Sequence, residues 1–267
     1  MKIGISNPIA NIGKIAEYGF DYMESQLFAL MEMDKAAFDE TVRMVKDAPI
    51  PCPIYNMYFK PGPFVPGPTC MKIVGPDVDR TALADYSNRA ADRAAALDAT
   101  HVIIGNGKSR DIPEGWTKEQ AQEDFMKSLT VMGDAMGSRG ITLMIEPVRF
   151  EETTNINRVD DCAQLVRTLD HPHVRMLADF WHMRMIGEEM SDIEKAGDLL
   201  CHAHIARKDG RAFPMVKGED IYEEFFAALA KIGYRGALSI EGDSKDPDHD
   251  APKAAAFLRA MAAEFGL

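Results

Sequence analysis

Ile141-Thr142-Leu143-Met144-Ile145-Glu146 is a short apolar run that ends on a carboxylate, and three further stretches repeat the pattern: Val174-Arg175-Met176-Leu177-Ala178-Asp179, Leu199-Leu200-Cys201-His202-Ala203-His204 and Gly236-Ala237-Leu238-Ser239-Ile240-Glu241. Short apolar runs bounded by polar or turn residues read as buried strands of a parallel sheet. Each delivers a metal-binding type of side chain at its carboxyl end, which in a (β/α)8 barrel is the end where active sites are built. Taken singly, the residues have plain explanations. Glu146 could sit in a structural ion pair, Asp179 could cap a following helix, His204 could be a satisfied polar group and Glu241 could serve a turn. Jointly they come from successive strands at one end. Two glutamates, an aspartate and a histidine converging on one point form a mixed oxygen–nitrogen site for a divalent cation.

The strand signal extends over the whole chain. Strands are predicted at 2–6, 22–25, 53–58, 101–105, 142–146, 174–179, 199–205 and 237–241, with amphipathic helical spacing at 9–18, 34–46, 80–97, 118–138, 159–169, 191–196, 221–231 and 251–265. Eight strand–helix units of roughly 33 residues each predict an α/β chain folded as a (β/α)8 TIM barrel, with residues 1–267 as one domain. A doubly wound open sheet is disfavoured, because no Gly-rich dinucleotide fingerprint follows the first strand. Gly19, Gly140 and Gly233 stand where helices should end. Lys60-Pro61-Gly62-Pro63-Phe64-Val65-Pro66-Gly67-Pro68 breaks the rhythm. Too rich in Pro and Gly to be helical, it is expected on the carboxyl face as a lid, a subunit contact or an inert insertion.

Composition narrows the function. With 42 acidic against 30 basic residues and a net charge of −12, the chain lacks the basic balance of a nucleic-acid binder. No apolar stretch approaches the ~20 residues needed to cross a bilayer. The four cysteines (Cys52, Cys70, Cys162, Cys201) form no CxxC pair, and Met1-Lys2-Ile3-Gly4-Ile5 reads directly as a strand. Reduced thiols in a cytoplasmic protein without a signal peptide are therefore expected. The seventeen methionines read as flexible core filler.

Two more histidines bear on the site. Asp179-Phe180-Trp181-His182 carries His182 into the loop after its strand, where it could face the pocket, donate to a substrate oxygen or transfer a proton. His202 shares a strand face with His204 but lies one layer deeper, so support is expected of it in place of ligation.

Ile145-Glu146-Pro147…Glu152…Asn157, Leu177-Ala178-Asp179-Phe180-Trp181-His182-Met183, His202-Ala203-His204-Ile205-Ala206 and Ser239-Ile240-Glu241 resemble the xylose isomerase-like TIM-barrel sugar and sugar phosphate isomerases and epimerases, in particular the D-tagatose 3-epimerase/D-psicose 3-epimerase type. Segments 74–79, 105–115 and 225–234 extend the likeness over most of the chain. The resemblance implies metal ligation by Glu146, Asp179, His204 and Glu241, acid–base catalysis by Glu146 and Glu241, and substrate contacts from Glu152, His182 and Arg211. It also implies a carbohydrate substrate and a homo-oligomer. The chain departs from the family pattern at Val148-Arg149-Phe150, at Arg207-Lys208 and at Phe180-Trp181, and the cations Arg149, Arg207 and Arg211 leave room for an acidic or phosphorylated substrate.

The expected chemistry is proton abstraction next to a carbonyl, giving an enediolate that a divalent ion stabilises as a Lewis acid. Return of the proton on the opposite face epimerises, return to the neighbouring carbon isomerises, and loss of a β-hydroxyl eliminates. The constellation alone does not choose among them, so a lyase of the same barrel family (inosose or dehydroshikimate dehydratase, or C-glycoside-cleaving enzyme) is the alternative. Three carboxylates and one imidazole favour Mn²⁺, with Mg²⁺ or Co²⁺ next, over structural zinc.

Overall fold

Eight runs that alternate between barrel interior and helix-facing surface close into a ring in the computed structural model, which describes residues 1–60 and 71–267. In chain order the elements are β1 (Lys2–Ser6), α1 (Ile12–Glu17), β2 (Tyr22–Gln26), α2 (Leu27–Glu32), α3 (Lys35–Lys46), β3 (Ile54–Asn56), α4 (Arg80–Ala96), β4 (His101–Ile104), α5 (Lys118–Gly137), β5 (Thr142–Ile145), α6 (Val159–Leu169), β6 (Val174–Asp179), α7 (Phe180–Ile186), α8 (Ile193–Ala196), β7 (Leu200–Ile205), α9 (Tyr222–Lys231), β8 (Ala237–Ile240) and α10 (Pro247–Glu264). Every strand pairs in parallel with its sequence neighbour, and β8 closes on β1 through Lys2–Ala237 to Ile5–Ile240. The TIM barrel predicted from the sequence is the observed fold.

The core has two parts. Outward-facing aliphatic residues of the strands meet the apolar stripes of the helices, as where α5 buries Phe125, Leu129, Met132 and Met136. Inside the ring, Tyr22, Ile54, Ile103, Met144 and Leu177 form a separate apolar floor. Gly4 makes room for it, since a Cβ at that position would lie 2.3 Å from the Tyr22 ring. Helix starts are set by local chemistry: Asp34 and Asp79 each cap the third backbone amide of α3 and α4, and Thr117 and Gln120 form a capping box at α5. The seam is fastened on the outside by Arg259 of α10, which donates to Asp21 and to the Gly19 carbonyl, while Asp21 accepts from Ile3 of β1.

Three features differ from the sequence expectation. Leu27–Glu32 forms a short helix directly after β2. Phe180–Ile186 is helical where a loop was expected, because Asp179 caps it. The last helix begins at Pro247, before the expected Ala251, since proline is accommodated in the first turn of a helix. The lid or subunit contact expected of 60–68 falls, apart from Lys60, outside the described residues.

Candidate metal centre and active site

Glu146 and Glu241 stand one residue beyond β5 and β8, Asp179 is the last residue of β6, and His204 lies in the last turn of pleat of β7. One ligand atom from each lies within 4.8 Å of every other. The sequence thus brings its four predicted ligands to one point. Glycine at 105 permits the approach of Glu146, since a Cβ there would be 2.1 Å from Glu146 Oε2. The buried guanidinium of Arg110 fixes the backbone, donating to the carbonyls of Glu146 (2.6 Å) and Ile104 (3.2 Å).

Asp179 does two jobs. Its Oδ1 accepts from the amides of Trp181 (2.7 Å) and His182 (3.4 Å), which starts α7. Its Oδ2 is buried, has no hydrogen-bond partner, lies 3.5 Å from the Arg211 guanidinium and faces the same cluster. A buried carboxylate oxygen without a hydrogen bond is costly, and a closer cation would satisfy it. His204 presents Nδ1 to Glu146 Oε1 (3.1 Å) and Glu241 Oε2 (3.4 Å). The residues present therefore fit a divalent cation by donor type, by convergence and by the orphaned oxygen.

The electrostatics describe a site short of positive charge. Burial, reinforced by Glu241, pushes Glu146 up to about 7. Burial also pushes Asp179 up to about 6, although Arg211 opposes it. Glu241 is desolvated too, but His204 and Arg211 outweigh that and hold it below the ordinary carboxylate range. For His204, burial is outweighed by Glu24 and Glu241, which raise it well above the usual imidazole value. In the metal-free protein, protons on these groups and the Arg211 guanidinium, 2.5 Å from Glu241 Oε2, supply the missing positive charge.

A cavity of about 280 Å³ opens over the cluster, with Asn56, Glu152, His182, Arg211, Lys60 and Lys108 in its wall. His182 lies in the first turn of α7, not in a loop, and still lines the pocket. Burial, then Arg211, keeps it well below its usual pKa and so neutral. Its Nδ1 accepts from the Arg149 amide (3.2 Å), which leaves the proton on Nε2. Arg149 and Arg211 both stack on Trp181, at 4.6 and 4.3 Å from the ring centre, and Arg149 pairs with Glu152 at 3.0 Å. Arg207 departs from expectation: its side chain turns to Glu219 (3.4 Å), and it is absent from the cavity wall.

Sequence reasoning missed Glu24 and Asn56, and it took Gly105 and Arg110 only as part of a family-like segment without a role. Glu24 carried a readable signal, a charged residue on the same strand face as Tyr22 inside a buried strand. It is fully buried and binds both His202 (3.0 Å) and His204 (3.1 Å). His202 thus shares with His204 a contact to Glu24.

Comparison with known proteins agrees with this geometry. A family described as xylose isomerase-like TIM barrel matches residues 12–261. The 2-oxo-tetronate isomerase of Haemophilus influenzae is 26% identical over 57% of this chain and 58% of its own length. The D-psicose 3-epimerase of Ruminiclostridium cellulolyticum is 27% identical over 62% of this chain and 57% of its own length. These matches thus span a little under three fifths of the relatives. The crystal structure of D-psicose 3-epimerase with D-tagatose from Clostridium cellulolyticum H10 superposes with a TM-score of 0.82 at 22% identity, covering 98% of this chain and 99% of that one. At that identity the superposition speaks for the fold.

Proposed function

Because the chain belongs to the xylose isomerase-like TIM-barrel family, we propose that it is a divalent-metal-dependent epimerase or isomerase of a sugar or sugar derivative, acting by proton abstraction next to a carbonyl. The observation that carries this reading is the convergence of Glu146, Asp179, His204 and Glu241, with Asp179 Oδ2 lacking a hydrogen bond, beside a cavity that Glu146 and Glu241 line. Glu146, Asp179, His204 and Glu241 would hold the ion, with Mn²⁺ the preferred occupant and Mg²⁺ or Co²⁺ alternatives for an oxygen-rich set. When bound, such an ion supplies Lewis-acid polarisation of a carbonyl and its neighbouring hydroxyl.

The chain's own residues supply the remainder. Glu146 and Glu241 reach the centre from strands β5 and β8 and would move the proton between substrate faces. Neutral His182 would donate from Nε2 to a substrate oxygen. Glu152 and Arg211, both in the cavity wall, would orient hydroxyl groups.

The test is incubation of the Mn²⁺-loaded protein with ketoses, ketose acids and their phosphates in D₂O. Deuterium at a single carbon of an isomeric product is expected, and Glu146→Gln or Glu241→Gln should lower the rate by about 10²–10⁴-fold. Retention of full activity in either variant would remove that residue from proton transfer. Release of water or of an aglycone would assign elimination instead.

A further inference from the structure

Below the proposed ligands lies a second knot of ligand-type groups, Glu24, His202 and His204, all fully buried. We propose that Glu24 is a positioning residue that holds His204 with its proton on Nε2 and thereby aims Nδ1 at the cation, and that this lower knot is a hydrogen-bonded support and holds no ion. The proposal rests on the metal-site reading given above.

Counting lone pairs decides between support and ion. Glu24 Oε2 lies 3.0 Å from His202 Nε2, 3.1 Å from His204 Nε2 and 2.9 Å from the Ser239 hydroxyl, and Oε1 accepts from Asn56 Nδ2 at 2.7 Å. A carboxylate has about four acceptor positions, two on each oxygen, and because His204 Nε2 lies 3.1 Å from Oε1 as well, the four donors fill them two to an oxygen. An ion placed here would compete with every one of these donors. It would have three protein ligands in a fully buried place, fewer than the four to eight that the common divalent ions take. It would also need the Nε2 lone pair of His204 while Nδ1 served the upper cluster, so one ring would have to lose both protons. A carboxylate that accepts from Nε2 needs none of this. It selects the tautomer whose free lone pair is Nδ1, the atom that faces Glu146 and Glu241.

The support reaches further than one ring. Asn56 Nδ2, which donates to Glu24 Oε1 (2.7 Å) and to Ser6 Oγ (2.8 Å), also lies 3.3 Å from Glu241 Oε1, so the residue anchored by Glu24 borders a second ligand. Ser239 in turn lies 2.8 Å from the Tyr22 hydroxyl, which roots the network in the barrel floor. Glu24 comes from β2, whereas all four ligands come from β5 to β8. The carboxylate therefore braces the site across the interior of the ring.

The experiment is Mn²⁺ binding to the full chain, by equilibrium dialysis for stoichiometry and by calorimetry for affinity. Ring-nitrogen NMR of the Zn²⁺-loaded protein then reads the tautomer. The wild type should bind one ion with His204 protonated on Nε2. Glu24→Gln should still bind one ion, about 10- to 100-fold more weakly, with the His204 Nε2 proton signal moved upfield by loss of its carboxylate acceptor. Should Glu24→Gln fail to fold, Glu24→Asp, which keeps the charge but draws it back by one methylene, is expected to give an intermediate loss. Two ions on the wild type and one on the variant would overturn the proposal in favour of a second metal site. Unchanged affinity and an unchanged ring spectrum would show Glu24 to be inert. No ion on the wild type would instead overturn the functional reading. The Glu24–His204 bond is then read alone in the metal-free protein, where loss of the downfield Nε2 proton in Glu24→Gln sustains it and retention refutes it.

Discussion

At the scale of single residues, the site is a set of carboxylates and an imidazole that hold protons where a cation belongs, and the sign of its pH response follows. Burial raises Glu146 to about 7 and Asp179 to about 6, above their unfolded values near 4. Raised native pKa values give stability that is full below the unfolded values and lost as pH climbs through the native ones. These two carboxyls therefore withdraw stability from the metal-free protein as pH rises from about 4 to 7. His101, His182 and His202, held below the unfolded imidazole value near 6.5, instead add stability as pH rises toward that value. Metal binding must expel the same protons, so Mn²⁺ affinity should increase over the range from about pH 5 to pH 7. Calorimetry in two buffers of different ionisation enthalpy counts the protons released, and a pH-independent affinity would contradict the assignment of Glu146 and Asp179 as ligands. The four proposed ligands were legible because each closes an apolar run. Glu24 gave only the partial signal of a charged residue on an interior strand face, and its role depends on partners 178 and 180 residues away.

At the scale of elements, the informative case is α7. The sequence allowed Asp179 to be a ligand or a helix cap, and the two readings looked exclusive. The structure gives one carboxylate oxygen to each: Oδ1 starts the helix and Oδ2 faces the cluster. That double use is why the Phe180-Trp181-His182 turn was read as loop. It also makes the two roles separable. Asn is as good a cap as Asp, so Asp179→Asn should leave the metal-free melting temperature within a few degrees, a capping loss being only about 1 kcal/mol. The same variant should lose most of its Mn²⁺ affinity, whereas Asp179→Ala should lose both. Thermal melts with and without Mn²⁺ check both halves, and equal metal affinity in Asp179→Asn and wild type would limit the residue to capping.

At the scale of the whole molecule, the barrel was legible because eight strand–helix units repeat along the chain, and parallel strands buried on both faces leave few other closures. The substrate was not, since it is chosen by loops whose charges point according to tertiary contacts: Arg211 lines the pocket, Arg149 shares Trp181 with it and pairs with the lining residue Glu152, while Arg207 turns away to Glu219. Occupancy of the site should be visible globally. An ion at 100 times its dissociation constant adds about 2.7 kcal/mol, which for a chain of this size corresponds to about 5–10 °C. Removing it with a chelator should lower the melting temperature by that amount, and no change would indicate that no ion binds. The effect will not be shared evenly. The proposed ligands sit on β5, β6, β7 and β8, four adjacent staves of the closed ring. A cation there cross-links one half of the circumference and leaves the other as it was. Backbone amides of β5–β8 should then exchange with deuterium more slowly on loading, those of β3 and β4 should keep their metal-free rates, and β2, tethered through Glu24, should fall between. A ring continuous in its hydrogen bonding would thus breathe as two unequal arcs.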